Sequence, residues 1–238
     1  MKTTLSMLAL TIGTLTSAPA LANFSANNFS INVGAINVAP NDSSSSLNVV
    51  ESVAGLPAGS TAVGVNSNTQ LGLTIDYKID KNWTVELIAA TPFSHDIDVE
   101  GSVIDGLDIG NTKHLPPTLL AQYHFDLGNS NFDPFIGLGL NYTKFFDTSA
   151  SGALKSTLQA LNVAKANDNV DLKLKDSWGL ALQAGVNYKL DQHWGLHFMV
   201  SKMDIDTVGE VRLNGATIQS VDVQIDPLVV MAGVRWSM

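Results

Sequence analysis

Eight stretches of this chain alternate apolar and polar residues at period two. Successive side chains of an extended strand point to opposite faces, so the pattern predicts strands with two chemically different sides. The predicted strands cover about 28–38, 68–77, 83–91, 117–125, 134–146, 177–188, 194–204 and 222–238. The second sets Leu71, Leu73, Ile75 and Tyr77 on its apolar side, and the eighth sets Leu228, Val230, Ala232, Val234 and Trp236 there. Short connections at Lys78–Asn82, Asp126–Asn131 and Lys189–His193 alternate with long ones at about 39–67, 92–116, 147–176 and 205–221. Turns at one rim and long loops at the other predict an all-β fold, an eight-stranded antiparallel transmembrane β-barrel with short periplasmic turns and long extracellular loops. The long loops are rich in Ser, Asn, Asp and Gly. The third also carries Leu154, Leu158 and Leu161 at helical spacing, which predicts a short amphipathic helix against the rim.

The aromatic residues decide which face is outward. Trp83 and Trp194 open the third and seventh strands, while Tyr77, Tyr123, Phe125, Tyr188 and Trp236 close the even strands at the same rim, all in the apolar register. Amphipathic rings gather where hydrocarbon meets water, so this collar marks the inner boundary of a membrane. A secreted barrel of lipocalin type would invert the two faces.

The N-terminus and the composition place the chain. Lys2 precedes an apolar stretch from Leu5 to Leu15 and then Ala18-Pro-Ala-Leu-Ala22, which predicts a signal peptide over 1–22 and a barrel over 23–238. Cleavage there would remove one lysine and move the net charge from −9 to −10. Export and the strand pattern together predict a bacterial outer-membrane location with membrane lipids as neighbours. With 13 Lys and Arg against 22 Asp and Glu, the surface would repel nucleic acid. The chain has no cysteine, so no thiol chemistry or disulfide framework is available. No nucleophile elbow, phosphate loop or His-Glu-x-x-His is present, so neither an enzyme nor a cofactor protein is expected. His95 with Asp96 and Asp98 offers metal-ligating side chains, but a solvated loop is the competing reading and no metal is expected.

Inward positions follow by parity. Near the inner rim they are polar: Asp76, Glu86, His124 and Arg235 are expected to plug the lumen, with Arg235 paired to Asp76 or Glu86. His124 and His197 are expected at similar depth. Near the outer rim the inward set turns apolar, with Ile36, Val38, Ile88, Ala90, Leu120, Phe145, Met199, Val229 and Met231. An eight-stranded barrel is wide enough only for its own side chains or one small ligand, so this upper set is either a cup for a small hydrophobe or filler.

Several segments, in order along the chain, resemble the outer-membrane protein W family. They are Asn68-Thr-Gln-Leu-Gly-Leu-Thr74, Val85-Glu-Leu-Ile-Ala-Ala-Thr-Pro-Phe93, His114-Leu-Pro-Pro-Thr-Leu119, Pro134-Phe-Ile-Gly-Leu-Gly-Leu-Asn-Tyr-Thr143, Lys175-Asp-Ser-Trp-Gly179 and Met203-Asp-Ile-Asp-Thr207. The resemblance implies a barrel for passive uptake of small hydrophobic molecules, through an apolar pocket with a sideways exit. It also implies that Ile88 and Trp178 pinch the pocket floor, although the parity of Trp178 with Leu180 points to lipid unless the strand is bulged. Such barrels usually end in Phe, whereas this chain ends in Met238, which bears on assembly rather than fold. The alternative function is surface recognition, with the long loops docking phage, bacteriocins or host surfaces.

Overall fold

The computed structural model describes residues 25–128 and 131–238; the leader expected at 1–22 lies outside the described residues. Eight strands form the barrel wall: β1 (Phe29–Ala39), β2 (Asn68–Lys78), β3 (Trp83–Ala90), β4 (Thr118–His124), β5 (Phe132–Ala150), β6 (Ser177–Lys189), β7 (Trp194–Met203) and β8 (Leu228–Ser237). Each pairs antiparallel with its successor. The eighth returns to the first, from Ser30↔Ser237 to Ala39↔Leu228, so the wall has no free edge.

Two strands differ from expectation. β5 runs past 146 to Ala150 because its upper part leaves the membrane and pairs with Asp108–Leu115. The predicted eighth strand over 222–238 is two elements: Ala216–Gln224 pairs with Asp206–Leu213, and only Leu228–Ser237 joins the barrel. Asp226 at φ 35° and Pro227, which has no N–H to donate, interrupt the ladder between them.

The outward face is the apolar one. Leu71, Leu138, Leu140, Leu182 and Leu196 stand exposed along the wall. At the inner rim Trp83 packs edge-on against Tyr123 at 5.3 Å, Phe29 against Tyr77 at 4.9 Å and Phe132 against Tyr188 at 4.9 Å. At the outer end Trp178 lies 4.7 Å from Tyr142. Along β6, Trp178 and Tyr188 are about ten residues apart, which for a strand tilted ~40° spans about 25 Å, the height of an outer-membrane apolar band.

Above that band the long loops are folded. Ala62–Val65, Phe93–Glu100, Asp108–Leu115 and upper β5 make one wall; Val170–Leu174, Asp206–Leu213, Ala216–Gln224 and Ser43–Ser44 make the other. Helix α1 (Asn48–Ala54) lies in the first long loop. Helix α2 (Gly152–Ala160) is the one predicted in the third, capped by Ser151 Oγ accepting from Leu154 N, with Leu154 and Leu158 buried. The polarity of the two faces inverts at the membrane boundary. Within it, apolar side chains face out to lipid; above it they face in, because the outer face there meets water.

Candidate functional site: an apolar cavity above a sealed lumen

The lumen has three tiers. The lowest is a hydrogen-bonded floor built from polar side chains at inward positions. Arg235 of β8 pairs with Asp76 of β2 through Nη1, which also donates to Asn32 Oδ1 at 3.1 Å. Asn32 Nδ2 donates in turn to Thr74 Oγ1 and Asp76 Oδ2. Glu86 is not a partner of Arg235 in this network; its Oε2 accepts from Gln183 Nε2 at 2.7 Å, and Gln122 Nε2 donates to Gln183 Oε1 at 2.8 Å. His124 Nδ1 meets Asp133 Oδ1 at 2.9 Å, and His197 Nδ1 meets Asn187 Oδ1 at 2.8 Å. Buried charges are tolerable only when paired and hydrogen-bonded; Asp76 and Arg235 meet that condition, whereas Glu86 has no cationic partner and its Oε1 accepts no hydrogen bond. Below it a polar hollow of about 480 Å³, lined by Lys78, Lys81, His124, Asp133 and Arg235, opens to the inner side.

The middle tier is packed solid. Ile36, Ile88, Leu120, Met199, Val229 and Met231 are each no more than 2% exposed. Met231 is the cross-strand neighbour of both Ile36 and Met199. Inward glycines make room for these side chains: a Cβ on Gly72 would sit 2.8 Å from Ile36, and one on Gly185 would sit 2.4 Å from the Phe135 ring. Ile88, Leu120, Met199, Val229 and Met231 were candidates for a cup, but none lines the cavity described next. They pack within the barrel beneath it, where eight strands leave little spare width.

The third tier is the cavity, of about 60 Å³, and it sits in the folded loops rather than between the lipid-facing strands. Of the inward apolar set expected near the outer rim, Val38 and Phe145 line it. Most of its wall comes from segments read as polar loops, among them Val63, Ile97, Ile109, Leu172 and Val221, while Ile225 comes from the segment read as the start of the eighth strand. Leu47, Ile109 and Val211 are shared with a second apolar void of about 20 Å³ that reaches Leu154 and Leu158 of α2.

Trp178 does not reach the pocket. It is 72% exposed on the outer wall, packed on Tyr142, while its neighbour Ser177 is the buried, inward residue. β6 keeps its parity without a bulge from Ser177↔Thr143 to Tyr188↔Phe132, so Trp178 belongs to the outer aromatic collar. His95 and Asp96 point to opposite faces, His95 buried and Asp96 exposed, so they do not form a shared metal site.

His95 and His114 supply the cavity wall's aromatic nitrogen atoms. Phe93 pairs with His114 across the ladder, and the two-residue spacing sets Phe93 and His95 on one face. The two imidazoles stack at 4.8 Å, flanked by Phe93 at 5.3 Å and Phe145 at 5.8 Å from His114. Burial holds the His95 imidazole below its ordinary pKa. Burial, and then the neighbouring His95, push His114 down to about 3. Both rings are therefore neutral at ordinary pH.

The wall beside them is weakly tied. The β3–β4 ladder stops at Ile88↔Thr118 and resumes above as Phe93↔His114. Pro92, Pro116 and Pro117 fall in this break and have no N–H to donate. Asn141 Nδ2 and Thr118 Oγ1 donate to the Pro116 carbonyl from within the lumen.

A closed strand wall with lipid-facing leucines, aromatic collars at both rims and folded outer loops defines an outer-membrane β-barrel. Within that class the chain belongs to the OmpW family, whose family model matches residues 25–238. Outer membrane protein W of Vibrio cholerae is 43% identical over 232 residues, 97% of each chain. The crystal structure of OprG from Pseudomonas aeruginosa superposes with a TM-score of 0.74 at 40% identity, covering 88% of this chain and 95% of that one. A more distant relative, the dibenzothiophene metabolism operon protein PahQ of Pseudomonas aeruginosa, is 25% identical over 175 residues, covering 73% of this chain and 72% of its own.

Proposed function

We propose that this barrel mediates passive uptake of small hydrophobic molecules, received from outside in the apolar cavity and released sideways into the membrane. The observation that carries this reading is the position of an apolar cavity above a lumen sealed twice, by the packed middle tier and by the hydrogen-bonded floor. A solute in the cavity has no straight path down. The proline-interrupted seam between β3 and β4, which ends at the cavity-wall residue His114, is a gap in the ladder of the wall beside it. A pore for ions would need charge or water along its length, and the middle tier offers neither. The name of PahQ links that relative to the metabolism of an aromatic hydrophobe, in keeping with this substrate class.

The test is uptake of small hydrophobes in cells that differ only in this gene. Faster uptake with the barrel present is expected. Equal rates across several solutes would refute the reading.

A further inference from the structure

The cavity wall holds five residues with polar side chains: His95, Thr112, His114, Thr143 and Thr207. The three threonine hydroxyls are already engaged. Thr112 Oγ1 meets Thr148 Oγ1 at 2.8 Å, Thr143 Oγ1 donates to Asn141 Oδ1 at 2.7 Å, and Thr207 Oγ1 donates to the Lys175 carbonyl at 2.6 Å. The histidines differ. His95 Nε2 and His114 Nδ1 are both buried from water and have no hydrogen-bond partner. Buried polar atoms in folded proteins are nearly always paired, so two unpaired nitrogens on adjacent stacked rings call for a reason.

The chemistry of these nitrogens is further constrained. His95 Nδ1 lies 2.5 Å from the Asn66 carbonyl oxygen. A carbonyl only accepts, so Nδ1 carries the proton, and in a neutral imidazole Nε2 is then a bare acceptor. The spare capacity at His95 is for a donor, such as a hydroxyl. A carboxylate is a poor match because the apolar wall would strip its water and offers no fixed positive charge.

We infer that His95, stacked on His114, selects, among small hydrophobes, those carrying one neutral hydroxyl, such as alcohols and phenols, by accepting a hydrogen bond at Nε2 beside the apolar cavity. The inference rests on the uptake function proposed above and narrows its substrate class. The apolar body supplies the drive into the cavity, and the hydroxyl finds there the acceptor that Val, Ile, Leu and the engaged threonines do not offer. These nitrogens add almost nothing to the surface of the empty cavity, so a hydroxyl reaches them only as the solute displaces the side chains around them; with water excluded there, the bond is stronger than one at the surface.

The test compares n-decane with 1-decanol in the same uptake assay, using wild type, His95→Phe and His114→Phe. Phenylalanine keeps a flat ring in the Phe93–Phe145 stack and removes the nitrogens. The decanol-to-decane uptake ratio is expected to fall about five- to tenfold in His95→Phe, the loss of one net hydrogen bond, with decane uptake retained. Decane and decanol uptake both independent of wild-type barrel would refute the uptake function itself. Uptake of both solutes with an unchanged ratio in both variants would leave that function standing and overturn the histidine assignment. A variant that fails to assemble is recognised by loss of its heat-dependent gel shift. Wild type in lipid nanodiscs then decides: the ¹⁵N resonance of His95 Nε2 is expected to move on adding 1-decanol but not decane, and identical spectra with both would overturn the assignment.

Discussion

Arg235 on β8 reaches over β1 to pair with Asp76 on β2, so a single ion pair ties three neighbouring strands at the inner end of the lumen. The Asp76 side chain is almost fully buried, and the Arg235 side chain keeps a small window to the inner hollow. Removing the arginine leaves a buried carboxylate facing Asn32 and Thr74 alone. Arg235→Ala is expected to lower the unfolding free energy in detergent by about 3 kcal/mol, the lower end for breaking a buried pair. Asp76→Asn combined with Arg235→Gln should recover most of that loss. Planar-bilayer conductance is expected to stay at baseline in both, because the packed apolar tier above the floor still excludes ions. Open-channel currents in Arg235→Ala would show that the floor alone seals the barrel.

A second prediction concerns a void that a glycine provides. Phe135 is almost fully buried, and its ring occupies the space a side chain at Gly185 would need, with the Phe198 carbonyl 2.6 Å from the same point. The ring tip could shift, but the backbone oxygen cannot follow. Gly185→Leu is therefore expected to block closure of β5, β6 and β7, seen as loss of the heat-dependent gel shift. Gly128→Ala, at a turn with open space around its Cβ position, is strained only by its φ of 69° and should still assemble. Normal assembly of Gly185→Leu would contradict the packing described.

The barrel was readable from sequence because lipid enforces one rule on every strand: apolar out, at period two, with aromatic rings at the rim. The pocket was not, because the rule reverses at the membrane boundary while the parity continues. Val221, Val223 and Ile225 are inward by the same odd count as Val229 and Met231, so the run from 222 to 238 looked like one strand. Two local signals marked the division. Pro227 breaks the ladder, and Asn214-Gly215, with φ of 51° and 85°, is the pair favoured in a two-residue hairpin turn. Phe93, His95, Ile97 and Val99 likewise alternate with polar neighbours, and a water-facing strand pattern was present there inside a segment read as a loop. Trp178 was drawn to the pocket by resemblance, while its own parity with Leu180 gave the correct outer face.

Acid should loosen the first loop before the barrel. Glu51 of α1 accepts from Gly59 N at 2.9 Å, Thr61 N at 3.0 Å and Thr61 Oγ1 at 2.7 Å, and Thr61 Oγ1 accepts from Leu47 N at 3.1 Å. The Gly59 amide and then the Thr61 hydroxyl hold the Glu51 carboxyl below its ordinary value of 4.5. A group whose folded pKa is depressed adds stability above the unfolded value and loses it as pH falls through the folded one. Amide exchange at Gly59 and Thr61 is therefore expected to rise, relative to barrel amides, once pH drops below 4.5. In Glu51→Gln that pH dependence should vanish. Because Leu47 lines the cavity, the same change should loosen one of its walls. Equal pH dependence in Glu51→Gln and wild type would assign the loop's anchoring to other contacts.

Ile88 and Phe145 separate filler from wall. Both are inward and apolar, and by pattern alone they are equivalent. In the fold Ile88 is sealed in the middle tier, while Phe145 stacks on His114 and faces the cavity. Ile88→Ala removes methylene groups from a packed layer and should cost about 2–4 kcal/mol in detergent unfolding, with hydrophobe uptake unchanged. Phe145→Ala should change uptake at least as clearly as it changes stability, because it enlarges the cavity and removes a ring from the histidine stack. Ile88→Asp would put an unpaired charge into the same layer and is expected to prevent folding rather than block transport. Measuring unfolding midpoints and uptake on the same preparations distinguishes the two roles. If Ile88→Ala abolished uptake while leaving the midpoint unchanged, the solute path would have to run through the middle tier, and the sideways exit would lose its main support.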